Sequence, residues 1–317
     1  MASAASGIPS DKQRTYEQLI NALQVLFGKH PGFRPVHAKG VLCEGNFIPA
    51  KGASALCRAP HFRGSGVPIT ARFSDFTGIP TIPDNDVNAS PRGMAIRFHL
   101  SNRDSTDVVA HSYNGFPAGT ADEFLEFLHA LATSGPESPK PSPIEQFLDT
   151  HPRAKKFAET PKPTPESFAT ESYYAVDAFR FTNGRKKSRY GRFRIVPVAS
   201  VKYLDSTVAS TQPPNYLFNE LMERMKGGPV QFRLMVQLAA EGDPITDASR
   251  TWPDNRPQLE LGILSIIGCM VNNDIEQRKI VFDPARLVDG IEASDDPLIR
   301  ARSELYAVSF RLRNSQP

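Results

Sequence analysis

Prolines punctuate this chain too densely for a bundle of long helices: 28 fall among 317 residues, against a usual ~5%. Each removes a backbone donor and fixes φ, which argues for many loops and irregular connections rather than a helix bundle. Between the prolines, apolar residues recur with period two. Val230, Phe232, Leu234, Val236 and Leu238 alternate with mostly polar neighbours, and Met94, Ile96 and Phe98 alternate with Ala95, Arg97 and His99. Both runs predict half-buried strands. Further strands are expected over residues 37–43, 55–57, 69–74, 173–182, 190–197 and 259–267, with Asn183-Gly184 as a hairpin signal. Helices are expected over 13–27, stopped by Gly28 and Pro31-Gly32, over 121–133 with Thr120 as N-cap, and over 216–226 and 298–308. The proline-rich stretch 136–165 carries at most a short helix at 144–150, and no internal repeat is present. Two groups of strands with helical inserts and antiparallel hairpin signals predict an α+β protein built on an antiparallel β-barrel.

At 40% hydrophobic residues the chain can bury a sizeable core, yet no run approaches the ~18 apolar residues of a membrane span. Residues 1–11 lack the basic and apolar regions of a secretory leader, so a cytoplasmic location is expected. The net charge of +3 comes from acids and bases mixed along the chain, which argues against a nucleic-acid partner. Cys43, Cys57 and Cys269 form no CxxC pair and no metal-finger spacing. They are expected as free, small residues in a reducing compartment.

Two local contexts carry the chemistry. His37 lies within Arg34-Pro35-Val36-His37-Ala38-Lys39-Gly40, and Tyr306 follows Arg302 by four residues. Residues i and i+4 share a helix face, so a guanidinium at 302 can approach a phenol at 306. These contexts have company. Ala71-Arg72-Phe73-Ser74 and Ser90-Pro91-Arg92-Gly93-Met94-Ala95-Ile96-Arg97-Phe98 follow the first, while Phe282-Asp283-Pro284, Gly290-Ile291-Glu292 and Ser294-Asp295-Asp296 precede the second. In this order, the segments resemble the haem catalase superfamily over most of residues 30–313. The chain stops shortly after the tyrosine segment, which is similar to the compact catalase-related peroxidases.

The resemblance implies haem b buried between the barrel and a C-terminal helix, with residues 1–30 as a helical arm and 31–317 as the haem-binding domain. It implies Tyr306 as axial ligand of the iron, a choice associated with catalases, and Arg302 as the cation beside its phenolate. His37 would be the acid–base on the other face, Ser74 the partner of its second ring nitrogen, and Val36 the residue that narrows the approach. Arg34, Arg72 and Arg313 would bind the propionates, and Phe124 would lie beside the haem. Where catalases carry a peroxide-orienting asparagine, an ungapped match puts His111, and a shift of one turn puts Asn114. With His111 there, the expected activity is reduction of hydrogen peroxide or organic hydroperoxides by a small organic donor, with weak or no catalase activity. The alternatives are an allene oxide synthase-like enzyme, disfavoured by Val36 where such enzymes usually carry threonine, and a non-catalytic haem-carrying barrel. A homodimer is compatible with the chain.

Overall fold

The computed structural model describes residues 11–315, so the reading of residues 1–10 as leaderless lies outside the described residues. The strands are β1 (Gly40–Pro49), β2 (Val67–Ser74), β3 (Gly93–His99), β4 (Ser105–His111), β5 (Tyr173–Tyr174), β6 (Phe179–Thr182), β7 (Ser188–Pro197), β8 (Val230–Leu238), β9 (Gln258–Cys269) and β10 (Ile291–Ala293). Every pairing is antiparallel. The order β1-β2-β3-β4-β5-β7-β8-β9 returns to β1 and closes an eight-stranded barrel, while β6 and β10 continue the sheet beside the start of β7.

Period-two alternation decides what fills the barrel. Along β2, Ile69, Ala71 and Phe73 join the main core with Phe47, Phe98 and Phe232. The Phe47 and Phe98 rings meet edge to face at 5.1 Å, and Phe73 and Phe232 lie 6.0 Å apart. Aromatic side chains thus pack the interior, as expected for a small barrel. The intervening Thr70, Arg72 and Ser74 are also buried, on the outer face. Helices cover that face.

The helices are α1 (Asp11–Phe27), α2 (Ala53–Leu56), α3 (Ala121–Ala132), α4 (Pro143–Thr150), α5 (Pro152–Glu159), α6 (Ser206–Ser210), α7 (Tyr216–Lys226), α8 (Asn273–Lys279) and α9 (Pro297–Asn314). A second core joins Leu19, Ala22 and Leu23 of α1 to Phe127 and Leu128 of α3, Phe147 of α4 and Ala154 of α5. Burial of each such leucine contributes about 1.5–3 kcal/mol. Thr120 caps α3 by accepting from the Glu123 amide at 3.1 Å. Asp296 caps α9 by accepting from the Leu298 amide at 2.9 Å, with Pro297 in the first turn.

A polar chain docks α9 on the barrel. Arg97 of β3 grips Asp107 of β4 through two bonds of 2.8 and 2.7 Å, and Asp107 also accepts from the Asp283 amide at 2.8 Å. The Asp283 carboxylate in turn accepts from the Ser303 hydroxyl of α9 at 3.0 Å.

Several local expectations need correction. Residues 55–57 are not a strand: 53–56 form a helical turn, and Cys57 caps it. The first strand starts at Gly40 rather than 37, because His37 has φ +54° and breaks the extended run. Residues 173–182 split into β5 and β6. The hairpin after β6 uses a five-residue loop, 183–187, with Lys186 rather than Gly184 in the left-handed region. β4, β10, α5, α6 and α8 had no counterpart in the sequence reading.

Candidate active site

Between the outer face of β2, β3 and β4 and the helices α1, α3 and α9 lies a cavity lined almost wholly by apolar side chains. His37 stands on one wall and Tyr306 on another, with Arg302 beside Tyr306.

The His37 wall is made by the loop before β1 folding back on the end of β2. The His37 amide donates to Phe76 O at 2.7 Å and the Ala38 amide to Thr77 O at 2.9 Å, which holds His37 in its left-handed backbone conformation. Lys39 anchors the same loop by donating to Asp84, to Ile82 O at 2.7 Å and to Pro214 O at 2.9 Å. Ser74 Oγ lies 3.0 Å from His37 Nδ1, and the ring meets Phe76 edge-on at 5.6 Å between centroids. Glycine is needed at 93, where a Cβ would stand 2.5 Å from Ser74 Oγ and 2.8 Å from His37 Nδ1. With Nδ1 engaged, Nε2 has no protein hydrogen-bond partner among the described residues. Burial first, and then the charge of Arg72, push the His37 pKa down to about 3, so the imidazole is neutral at pH 7.

His111, at the end of β4, lines the same cavity, and its Nδ1 accepts from the Tyr113 amide at 3.3 Å. Burial pushes its pKa down to about 3 as well. Asn114 is not in this cavity. It lines an adjoining pocket with Tyr113, Arg153, Lys156 and Arg250, which shares Phe116 and Phe157 with the main cavity. Val36 and Phe124 both line the cavity and pack in the second core, with Phe124 5.0 Å from Phe116.

The Tyr306 wall is one face of α9: Leu298, Arg302, Leu305, Tyr306, Ser309 and Arg313 recur at helical spacing. Arg302 Nε and Nη2 each donate to Tyr306 Oη at 3.2 Å, and Nη1 is bound by Asp177. Burial lowers the Arg302 pKa, but the charges of Asp177 and Tyr306 outweigh it and the net shift is upward. The guanidinium is therefore fixed as a cation against the phenol. Sequence reasoning missed Asp177. Its signal was an acidic residue inside the apolar run 173–182, and it is now 1% exposed with Oδ1 unpartnered.

At the rim the structure gathers Arg34, Arg72 and Arg313. Arg34 donates to Gln277 O and Ile280 O, both at 3.0 Å, and Arg313 Nη2 donates to Ile280 O at 2.7 Å. Arg72 donates to His37 O at 2.9 Å and to Gln277 Oε1 at 2.8 Å. A Cβ on Gly40 would lie 2.4 Å from Arg72 Nη2. Carbonyls around the end of α8 thus hold the arginines, aided by the negative pole of that helix. No carboxylate of the described residues forms an ion pair with any of the three. Burial, and then mutual repulsion with Arg313, push Arg72 down to about 9; burial pushes Arg313 down to about 10. Arg34 is driven down in the same way, by burial and then by Arg72 and Arg313. Two buried cations and a half-buried one, none in an ion pair with a carboxylate of the described residues, favour a bound anion.

A sequence model of the catalase family matches residues 19–316. The chain is 35% identical over 302 residues to a protein named catalase-related peroxidase from Mycolicibacterium paratuberculosis, covering 94% of this chain and 95% of that one. A catalase-related peroxidase from Synechococcus elongatus is 31% identical over 315 residues, covering 98% and 90%. Among solved structures, a fungal catalase superposes with a TM-score of 0.79 at 21% identity, covering 100% of this chain and 66% of the other. Catalase A from Saccharomyces cerevisiae gives 0.78 at 21%, covering 99% and 66%. These two likenesses concern the fold.

Proposed function

The chain belongs to the catalase family, and we propose that it is a haem peroxidase that reduces hydrogen peroxide or organic hydroperoxides with electrons from a small organic donor, releasing little O₂. The observation that carries this reading is one apolar cavity with a neutral histidine on one wall and an arginine-bound tyrosine on another. The cavity suits haem b, whose periphery is hydrocarbon apart from two propionates. Arg34, Arg72 and Arg313 would hold those carboxylates, which supply the missing counter-charge. Tyr306 Oη would hold the iron, with Arg302 stabilising the phenolate form. When bound, haem supplies the redox-active iron at which the peroxide O–O bond is broken.

The remaining chemistry belongs to the side chains. His37 accepts a proton at Nε2 from the incoming hydroperoxide and returns it to the departing oxygen, while Ser74 holds Nδ1 and fixes the ring plane. A base must be neutral to act, and burial keeps it so. Val36 and Phe124 keep the approach narrow and water-poor. His111, in place of an amide, is a poor holder for a second peroxide, which favours oxidation of a donor over O₂ release. No helix among the described residues is long and apolar enough to cross a membrane.

The test is the purified chain reconstituted with haem. A tyrosinate-type ferric spectrum and hydroperoxide-dependent oxidation of a phenolic donor, faster than O₂ release, are expected. Spectra unaltered by Tyr306→Phe would remove the ligand assignment. A haem-loaded chain inert to hydroperoxides would favour the carrier reading.

A further inference from the structure

Cys43 on β1 and Cys269 on β9 face each other across the barrel ladder, and their Sγ atoms stand 3.6 Å apart. The Met270 amide donates to Leu42 O at 2.9 Å, which makes 42/270 a hydrogen-bonded pair and 43/269 a non-hydrogen-bonded one. Such pairs hold their Cα atoms at ~4.5 Å, inside the ~4.4–6.8 Å range of disulfides. Rotation about the side-chain torsions can bring the sulfurs to the ~2.05 Å of an S–S bond without a change of register. We propose that Cys43 and Cys269 form a hydroperoxide-oxidisable dithiol, a second peroxide-consuming site on the barrel that yields a β1–β9 disulfide.

The two thiols are unequal. Cys43 is fully buried and Cys269 is part-exposed. The hydrogen bond between them, followed by burial, raises the Cys43 pKa, and the same bond lowers that of Cys269. Cys269, the more accessible and the more acidic of the two, is therefore the attacking sulfur. It attacks one oxygen of the hydroperoxide; the O–O bond breaks, the alcohol or water leaves with a proton, and sulfur becomes a sulfenic acid. Cys43 then attacks that sulfur, the S–O bond breaks, and the hydroxyl departs as water with the Cys43 proton. In sum, two thiols and one hydroperoxide give a disulfide, an alcohol (or water) and water.

Cys57 is the internal control. It donates to Gly290 O at 3.1 Å, is buried, and burial pushes its pKa up to about 11. The dithiol also neighbours the arginine rim. Asn273 binds the Leu42 backbone in both directions, at 3.3 and 3.0 Å, and accepts from Gln277 at 2.6 Å; Gln277 in turn accepts from Arg72.

The test treats the reduced full-length chain with hydrogen peroxide, in wild type and in His37→Ala, so that turnover in the cavity does not exhaust the oxidant. Peptide mapping by mass spectrometry under non-reducing conditions should find Cys43 joined to Cys269, with Cys57 still alkylatable, in both proteins. In Cys43→Ser, dimedone should label Cys269; in Cys269→Ser, Cys43 should stay unlabelled. The oxidised wild type should melt several degrees higher than the reduced, and neither serine variant should show that gain. Absence of the disulfide in both proteins, or modification of Cys57 as fast as Cys269, would overturn the proposal. Labelling of Cys43 in Cys269→Ser with no labelling of Cys269 in Cys43→Ser would overturn the assigned order of attack.

Discussion

The two walls of the cavity solve opposite electrostatic problems. The histidine wall is assembled from a loop and the ends of β2, β3 and β4, and it holds its titratable groups neutral: His37 and His111 are both pushed down to about 3 by burial. The tyrosine wall is one face of one helix, and it holds a charge: Arg302 stays cationic in an equally buried place because Asp177 binds it. Burial alone discharges a base; burial beside a carboxylate does the reverse. What separates the neutral wall from the charged one here is the presence of one aspartate.

The largest break in that contrast should come from Tyr306→Phe, which on the proposed reading removes the protein's bond to iron while leaving α9 intact. Haem retention after gel filtration should be lost or nearly so, and full occupancy would refute the tyrosine assignment. His37→Ala acts on the opposite wall and should leave haem bound. Single-mixing measurements should show hydrogen peroxide consumed about 10²–10⁴-fold more slowly, as for a lost general acid–base. An unchanged rate would move the proton transfer to His111.

The third test is pH. A histidine with the ordinary pKa of ~6.5 would lose about 30-fold in neutral form at pH 5. His37, held down to about 3, should lose almost none, so the rate with peroxide should be flat from pH 7 to 5. An acid limb centred near 6.5 would show that the cavity is wetter than this account requires. Rate is the readout because stability mixes signs. The neutral histidine stabilises the fold above its unfolded pKa, and that contribution is lost as pH falls toward 3. Glu171, which burial pushes up to about 7, gains over the same fall.

Smaller effects sharpen the tyrosine wall. Arg302→Leu should lower the iron midpoint potential, since the phenolate loses its cation, and Asp177→Asn should raise it, since the cation loses its counter-charge. Shifts on the order of 30–60 mV, up to a tenfold change for a one-electron couple, are expected by potentiometric titration. Shifts of the same sign would mean that the two residues do not act in series. The smallest effect belongs to His111→Asn, which should raise O₂ release relative to donor oxidation by a few-fold, measured with an oxygen electrode.

Much of this was legible in the sequence because it is local. Period-two runs marked most of the barrel strands, and the segments around His37 and Tyr306 carried the resemblance that placed them opposite one another. What stayed hidden depends on distance along the chain. Asp177 reaches Arg302 across 125 residues, and nothing in a single strand says which helix will dock beside it. The arginine rim is held by backbone carbonyls at the end of α8, and a carbonyl has no sequence signature. β4 was missed because its outer face carries the buried Asp107 and the part-buried His111, polar groups that blur the alternation. The loop at His37 was read as strand because a left-handed backbone at a non-glycine residue is imposed by tertiary contacts.

Ring closure of the barrel bears on the order of assembly. Every wall strand has neighbours on both sides, and the aromatic core fills the interior, so the floor of the cavity satisfies its backbone without anything lying on it. The wall can exist before what it holds. Of the cavity lining, the inner faces of α1, α3 and α9 and the three rim arginines lie outside the barrel ladder, and these are the parts whose order should follow ligand concentration by mass action, gaining about 4 kcal/mol at a thousandfold excess over Kd. On the proposed reading, maturation separates into an early event that needs only the chain and a late one that needs supply from outside, and scarcity of the second component is expected to give a folded but idle protein rather than an aggregated one.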